Sequence, residues 1–205
     1  MDDTKKPLRR LAERLRARRT INLFLKQPVS RQVILDAIEV ARWAPNHHVT
    51  EPWHFYVLGE NAIAGAVELT RVVVTERKGE KKGDFKAEAA AERPGWLVVT
   101  CRRSEDKLLE QEDYASCCCA IQNLMLYLSE AGLASKWATG PIIRDARFFD
   151  LLGADRWERV CRRPDFLRLP EDHAATDAPR RGRHHHRTVP EKPCQPRAHG
   201  RSATA

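Results

Sequence analysis

The segment Tyr114–Leu128, YASCCCAIQNLMLYL, carries no charged side chain, and its only clearly polar members are Ser116, Gln122 and Asn123. One apolar row, Tyr114, Cys117, Cys118, Ile121, Met125 and Leu128, recurs at helical spacing. A second row, Ala115, Cys119, Gln122 and Leu126, runs along another side of the same helix. A helix apolar nearly all round must be covered on most sides, within a core or at a subunit contact. It is too short and too rich in amides to span a membrane, which takes about 20 apolar residues. Glu110, Glu112 and Asp113 suit the positive end of its dipole. Ala131-Gly132 predicts a left-handed C-cap. The chain then enters Trp137-Ala138-Thr139-Gly140, a strand end and a tight turn.

The remaining elements are arranged around this helix. Residues 4–18 predict a basic amphipathic helix with a narrow stripe of Leu8, Leu11 and Leu15. A surface helix with one docked face fits that stripe better than a membrane-surface helix, because the apolar face is thin. Ser30 is placed to N-cap a second helix over 31–43, with Val33, Ile34, Ala37, Ile38 and Ala41 inward and Pro45 as its stop. Pro45 and Pro52 bracket an ordered polar loop, and a strand follows at 54–58. A helix is predicted over 61–75. The Lys-, Glu- and Gly-rich stretch 76–92 reads as an exposed mobile connection or lid. Residues 95–101, GWLVVTC, form a buried strand; 135–139 a short strand; 144–152 a short helix.

The chain of 205 residues can hold one sizeable core. Its net charge of +8 is unevenly spread. Residues 162–205 hold ten Lys/Arg against five Asp/Glu, while the preceding part holds 26 against 23. That tail is rich in Arg, Pro and His, has Phe166 as its only aromatic residue, and is expected to be disordered. The domain division expected is therefore 1–161 and 162–205. The charged N-terminus has no apolar h-region and no transmembrane run follows, so the expected compartment is the cytoplasm. Cys117, Cys118 and Cys119 are adjacent and no CxxC pair exists, so the thiols read as small apolar groups and not metal ligands. His184-His185-His186 and Cys194 would bind metal only adventitiously.

Three separated motifs carry a resemblance: Arg18-Arg19-Thr20, then Ala44-Pro45-Asn46-His47 with Glu51-Pro52-Trp53, then the buried helix ending at Gly132 with Trp137-Ala138-Thr139-Gly140 after it. Over about residues 10–161 the chain resembles the nitroreductase family, in its small single-domain bacterial branch. The resemblance implies an α+β fold, a mostly antiparallel sheet wrapped by helices with a long buried central helix. It implies a homodimer with FMN at the subunit interface. It also implies hydride transfer from NADH or NADPH to FMN N5, with electrons passing on to a nitroaromatic, quinone or similar small acceptor. No catalytic triad is required, because the cofactor carries the chemistry.

By the same resemblance, Arg18, Arg19 and Thr20 would hold the FMN phosphate through guanidinium forks and a hydroxyl. Asn22 stands where many relatives carry Arg or Lys; it keeps a hydrogen bond and lacks the charge. His47 and Glu51 would reach the flavin of the partner subunit. Glu51 replaces the amide frequent in relatives, and a carboxylate accepts a hydrogen bond without donating one. Ala138, Thr139 and Gly140 would lie along the flavin, with Gly140 permitting close approach. Taken alone, each has a plainer role: Arg18 and Arg19 end a basic helix, His47 is a surface residue, and Gly140 is a turn glycine. His48 and Trp53 read as packing residues.

The departure from the family pattern falls after Cys161. Relatives continue with an apolar strand, a Gly-Tyr-Pro-like turn and a basic residue near the phosphate. The abrupt change of composition here resembles translation in a shifted frame, and it predicts a missing strand, an open sheet edge and partial flavin occupancy. Two alternatives to the oxidoreductase stand beside it. One is a flavin-deficient, C-terminally altered relative. The other is a nucleic-acid-binding protein using its basic ends, against which stands the lack of interleaved aromatics.

Overall fold

The uncharged segment folds into the long helix α5 (Lys107–Glu130). The structure is a computed structural model that describes residues 5–25, 29–154 and 165–168, all within one compact unit, Met1–Ala174. Asp106 caps the start of α5, its carboxylate accepting from the backbone N–H of Leu108 and Leu109 at 2.9 and 3.2 Å. The end is a Schellman motif. Gly132 has φ +81°, its N–H donates to Ser129 O, and Leu133 N–H donates to Leu128 O at 2.8 Å.

The sheet has four strands in the order β1-β2-β4-β3, every neighbour antiparallel. They are β1 (Trp53–Val57), β2 (Trp96–Cys101), β3 (Lys136–Ala138) and β4 (Asp165–Arg168). All six residues of β2 are buried, because the strand is covered on both faces. Leu97, Val99 and Cys101 pack with Ile121, Leu124 and Leu128 of α5 and with Ile34, Ala37 and Ala41 of α2 (Arg31–Ala41). Trp96 and Val98 pack on the other side with Ala66 and Val73 of α3 (Glu60–Lys78), with Ile142 and Ile143 of the 3-10 turn Pro141–Arg144, and with Phe148 of α6 (Ala146–Leu152). A fully buried side chain such as Leu97 or Leu124 contributes about 1.5–3 kcal/mol, so these two clusters hold the fold. The result is the α+β architecture predicted, more helical than strand-rich.

Several local expectations are corrected. Residues 76–92 are not a loose connection. After Gly79 (φ +84°) the chain turns into α4 (Glu80–Ala91), which lies against α3 with Ala87 and Ala90 buried. A Cβ on Gly83 would sit 2.9 Å from the carbonyl oxygen of Arg71, so glycine permits the close approach. Arg71 pairs with Asp84 across the same seam. The charged surface of this hairpin hid its narrow stripe of small residues. Ser30 occupies the N-cap position of α2 without a side-chain cap. The helix α1 (Lys6–Ala17) buries none of its residues, and Leu8, Leu11 and Leu15 stay exposed in the single chain.

The expected loss of a strand after Cys161 is also corrected. β4 fills the slot between β2 and β3, with Leu97 opposite Leu167 and Trp137 opposite Leu167 on the other side. A four-residue strand with ladder partners on both sides is held by backbone hydrogen bonds, and composition averaged over a long tail conceals it. The rest of the tail, including His184, His185, His186 and Cys194, lies outside the described residues.

Candidate functional site

Two regions collect the residues singled out from the sequence. The first lies where α1 ends and the chain crosses to β3. Arg18 is the C-cap residue of α1, and its N–H donates to Arg14 O. Its Nη1 is buried and finds no hydrogen-bond partner among the described residues. A buried guanidinium N–H is normally satisfied, so this atom marks a place built for an acceptor. Arg19 behaves differently. Its Nη1 turns back to the carbonyl oxygens of Arg16 and Arg18, where a cation suits the negative end of the α1 dipole. Thr20 then forms an isolated parallel bridge to Ser135. Ser135 is buried, and its Oγ also has no partner among the described residues. Two residues on, Asn22 Oδ1 accepts a hydrogen bond from Lys136 Nζ.

Ala138 ends β3, and Thr139-Gly140 lead into the 3-10 turn. Gly140 has an ordinary extended conformation (φ −119°), and a Cβ built on it would meet no atom within 4 Å. Backbone strain and the chain's own packing therefore give no reason for a glycine, whereas close approach of a bound group would.

The second region is the loop 44–52, pinned to α5. Asn46 organises it: Oδ1 accepts from Glu51 N–H at 2.8 Å, and Nδ2 donates to Thr50 Oγ1 and to Ser116 Oγ. Thr50 Oγ1 donates to the buried carboxylate of Asp113. These bonds hold Val49 and Glu51 at φ +51° and +42°. A β-branched residue in that conformation is strained, and such strain persists only where surroundings enforce it. His47 and His48 both face Glu112, with Nδ1 of one and Nε2 of the other 3.3 and 3.4 Å from the same carboxylate oxygen. Trp53 is buried in the core, as predicted, and His48 is an exposed partner of Glu112 and not a packing residue. The Glu51 carboxylate accepts from Arg42 Nη2 at 3.3 Å; that hydrogen bond and the opposite charge raise the Arg42 guanidinium above its ordinary range. Arg42 and Glu51 line an open depression of about 490 Å³ together with Leu35, Trp53 and Phe55.

Among the described residues, no hydrogen bond or ion pair joins Arg18, Arg19 or Thr20 to His47 or Glu51. Sequence reasoning passed over Lys136, Ser135 and Trp43. Trp43, two residues past the end of α2, is 81% exposed and Val49 in the loop 80%, large apolar surfaces that the described residues leave uncovered. Only the placement of Trp next to Ala44-Pro45 could have flagged the first.

A family model described as the nitroreductase family matches residues 15–162. The chain is 35% identical over 154 residues to YfhC of Bacillus subtilis (strain 168), which carries a provisional NAD(P)H nitroreductase name; the match covers 73% of this chain and 79% of that protein. Among solved structures, the nitroreductase-like family protein from Bacillus cereus superposes with a TM-score of 0.72 at 26% identity, covering 84% of this chain and 91% of that one. A nitroreductase with bound FMN from Bacteroides fragilis NCTC 9343 shares the fold, with a TM-score of 0.68 at 17% identity over 88% of this chain and 98% of that one. The chain belongs to the nitroreductase family. The motifs that suggested this, from Arg18 to Gly140, all lie inside the matched span.

Proposed function

We propose that the chain is an FMN-dependent oxidoreductase. It would take a hydride from NADH or NADPH and pass electrons to a nitroaromatic, quinone or similar small acceptor, working as a homodimer. The observation that carries this is the buried, unpartnered Nη1 of Arg18 beside the Thr20–Ser135 bridge. An anion with several acceptor oxygens, such as the FMN phosphate, fits that donor. The open space at Gly140 fits a flat group lying along Ala138-Thr139-Gly140. The family membership and the FMN-containing B. fragilis neighbour support the same cofactor.

FMN supplies reversible two-electron chemistry when bound; the protein's part is to hold it and exclude water. Arg18 and Thr20 bind its phosphate, while Arg19 secures the end of α1 behind them. Asn22 acts near the same group. His47 and Glu51 serve the partner's flavin, held by Glu112 and Arg42 respectively.

The homodimer accounts for surfaces that one chain leaves bare. On α5 the second row, Ala115, Cys119 and Gln122, is exposed and Leu126 half-buried. The leucine stripe of α1, Trp43 and Val49 are exposed too. The test is titration of FMN into the flavin-stripped full chain. The intact protein is expected to bind FMN, and Arg18→Ala to bind about tenfold more weakly or worse, as loss of a charge-assisted hydrogen bond requires. Unchanged affinity in Arg18→Ala would remove the phosphate role.

A further inference from the structure

We propose that His47, His48 and Glu112 form a binding site for a divalent cation of the zinc class, which clips the loop 44–52 to α5. The site stands apart from the FMN assignment, since no flavin is needed to form it. His47 Nδ1 and His48 Nε2 lie 3.3 and 3.4 Å from the same Glu112 carboxylate oxygen. The two rings stand side by side, with centroids 4.3 Å apart. One ligand atom from each of the three residues falls within 4.8 Å of the other two. Both contacts to the carboxylate are longer than the optimum for an N–H···O hydrogen bond, about 2.9–3.0 Å. They match the spacing of two ligands on one metal. With metal–ligand bonds of about 2.0–2.2 Å, neighbouring corners of a tetrahedron are about 3.3–3.6 Å apart.

Two imidazoles and a carboxylate make the donor set of an open zinc site, with a fourth position left for water. Mg²⁺ and Ca²⁺ take oxygen ligands, so a set with two nitrogens selects against them. The scaffold holds the histidine pair from both sides. Asn46, directly before His47, donates to Ser116 Oγ on α5. Thr50, two residues after His48, donates to the buried carboxylate of Asp113, the neighbour of Glu112. The loop is thus tied to the helix on either side of the two rings, and little further ordering is needed for the ligands to close on one ion. Glu112 lies in the second turn of α5, beyond the first turn where the helix dipole would oppose a cation. Nearby cations are engaged elsewhere: Arg103 and Lys107 pair with Glu110, and Arg42 with Glu39 and Glu51. Ligation of His47 through Nδ1 also fixes its ring proton on Nε2, which makes that atom a hydrogen-bond donor.

The experiment is calorimetric titration of Zn²⁺, with Mg²⁺ as the hard-cation control, into the metal-stripped full-length protein and into His48→Ala, Glu112→Gln and Glu110→Gln. The tail histidines and Cys194 are present in all four proteins, so any zinc they hold cancels in the comparison. The unaltered protein is expected to bind one more Zn²⁺ per chain than His48→Ala or Glu112→Gln, and to show no heat with Mg²⁺. Loss of either ligand should weaken this site about hundredfold or more, because loss of even a supporting group around a metal costs about 10–100-fold. Glu110→Gln removes a neighbouring charge and no ligand, and should bind Zn²⁺ within about threefold of the unaltered protein. Saturating Zn²⁺ should raise the unfolding temperature of the unaltered protein and of Glu110→Gln, and leave that of His48→Ala where it is. None of the three substituted residues is buried, so each variant is expected to keep its helicity in circular dichroism. An unaltered protein that binds no Zn²⁺ overturns the proposal. So does Zn²⁺ held equally by the unaltered protein and His48→Ala, or an equal loss in Glu110→Gln. These outcomes leave the FMN assignment standing, and a chain that fails to bind FMN leaves this proposal standing.

Discussion

Asn46 shows how single side chains set this site. Its side chain takes part in four hydrogen bonds, two with the Thr50 hydroxyl, one with the Glu51 N–H and one with Ser116 on α5. Removing it releases Glu51 N–H, Thr50 and Ser116 together and leaves the left-handed backbone at Val49 and Glu51 without its clamp. Asn46→Ala should therefore cost about 1–3 kcal/mol in denaturant unfolding, with the ion pair of Arg42 and Glu51 weakened as the loop relaxes. A loss within about 0.5 kcal/mol, the range of ordinary surface substitutions, would mean that the loop is held by other contacts. At this scale the sequence was informative about residue identity and poor about aim. Arg18 and Arg19 are equivalent on paper, yet one points an unsatisfied N–H inward and the other caps a helix. That difference arises from where α1 stops, and no local pattern records it. Lys136 was invisible for the same reason, since its partner Asn22 lies across the fold.

Among the elements, α5 was the most legible, because a long uncharged run leaves few places for a helix to go. Of its two apolar rows, the first sends Cys117, Ile121, Met125 and Leu128 into the core of the single chain, while Ala115, Cys119 and Gln122 of the second remain outside and Leu126 is half-buried. The two rows make opposite predictions. Ile121→Asp places an unpaired charge in the core, which costs several kcal/mol, and should abolish folding. Ala115→Asp touches nothing within the chain and should leave helicity and cooperative unfolding intact while converting a dimer to a monomer in sedimentation or gel filtration. A folded dimer carrying Ala115→Asp would show that this row is not the subunit contact. The strands β1 and β2 were legible from their buried, β-branched and aromatic residues. The hairpin of α3 and α4 was not, because its seam is made of Gly83, Ala87 and Ala90, residues that give almost no hydrophobic signal. The strand β4 was hidden by the composition around it.

The described residues form a sheet with packed clusters on both faces, and the proposed flavin site lies where the segment after α1 meets β3. Among the described residues no helix is long and apolar enough to cross a membrane. The sheet is complete only because β4 joins β2 to β3, so the strand that carries Lys136 and leads to Gly140 depends on residues 165–168. The central claim is that this arrangement holds a working flavin at a subunit interface. Its most direct test is the visible absorbance spectrum of the purified full-length protein, recorded anaerobically before and after NADH or NADPH is added. The account predicts a flavin band near the usual positions of oxidised FMN that bleaches with the nicotinamide and returns when a nitroaromatic or quinone is admitted. A protein that stays colourless after incubation with FMN, or whose flavin band is indifferent to both nicotinamides, would contradict it.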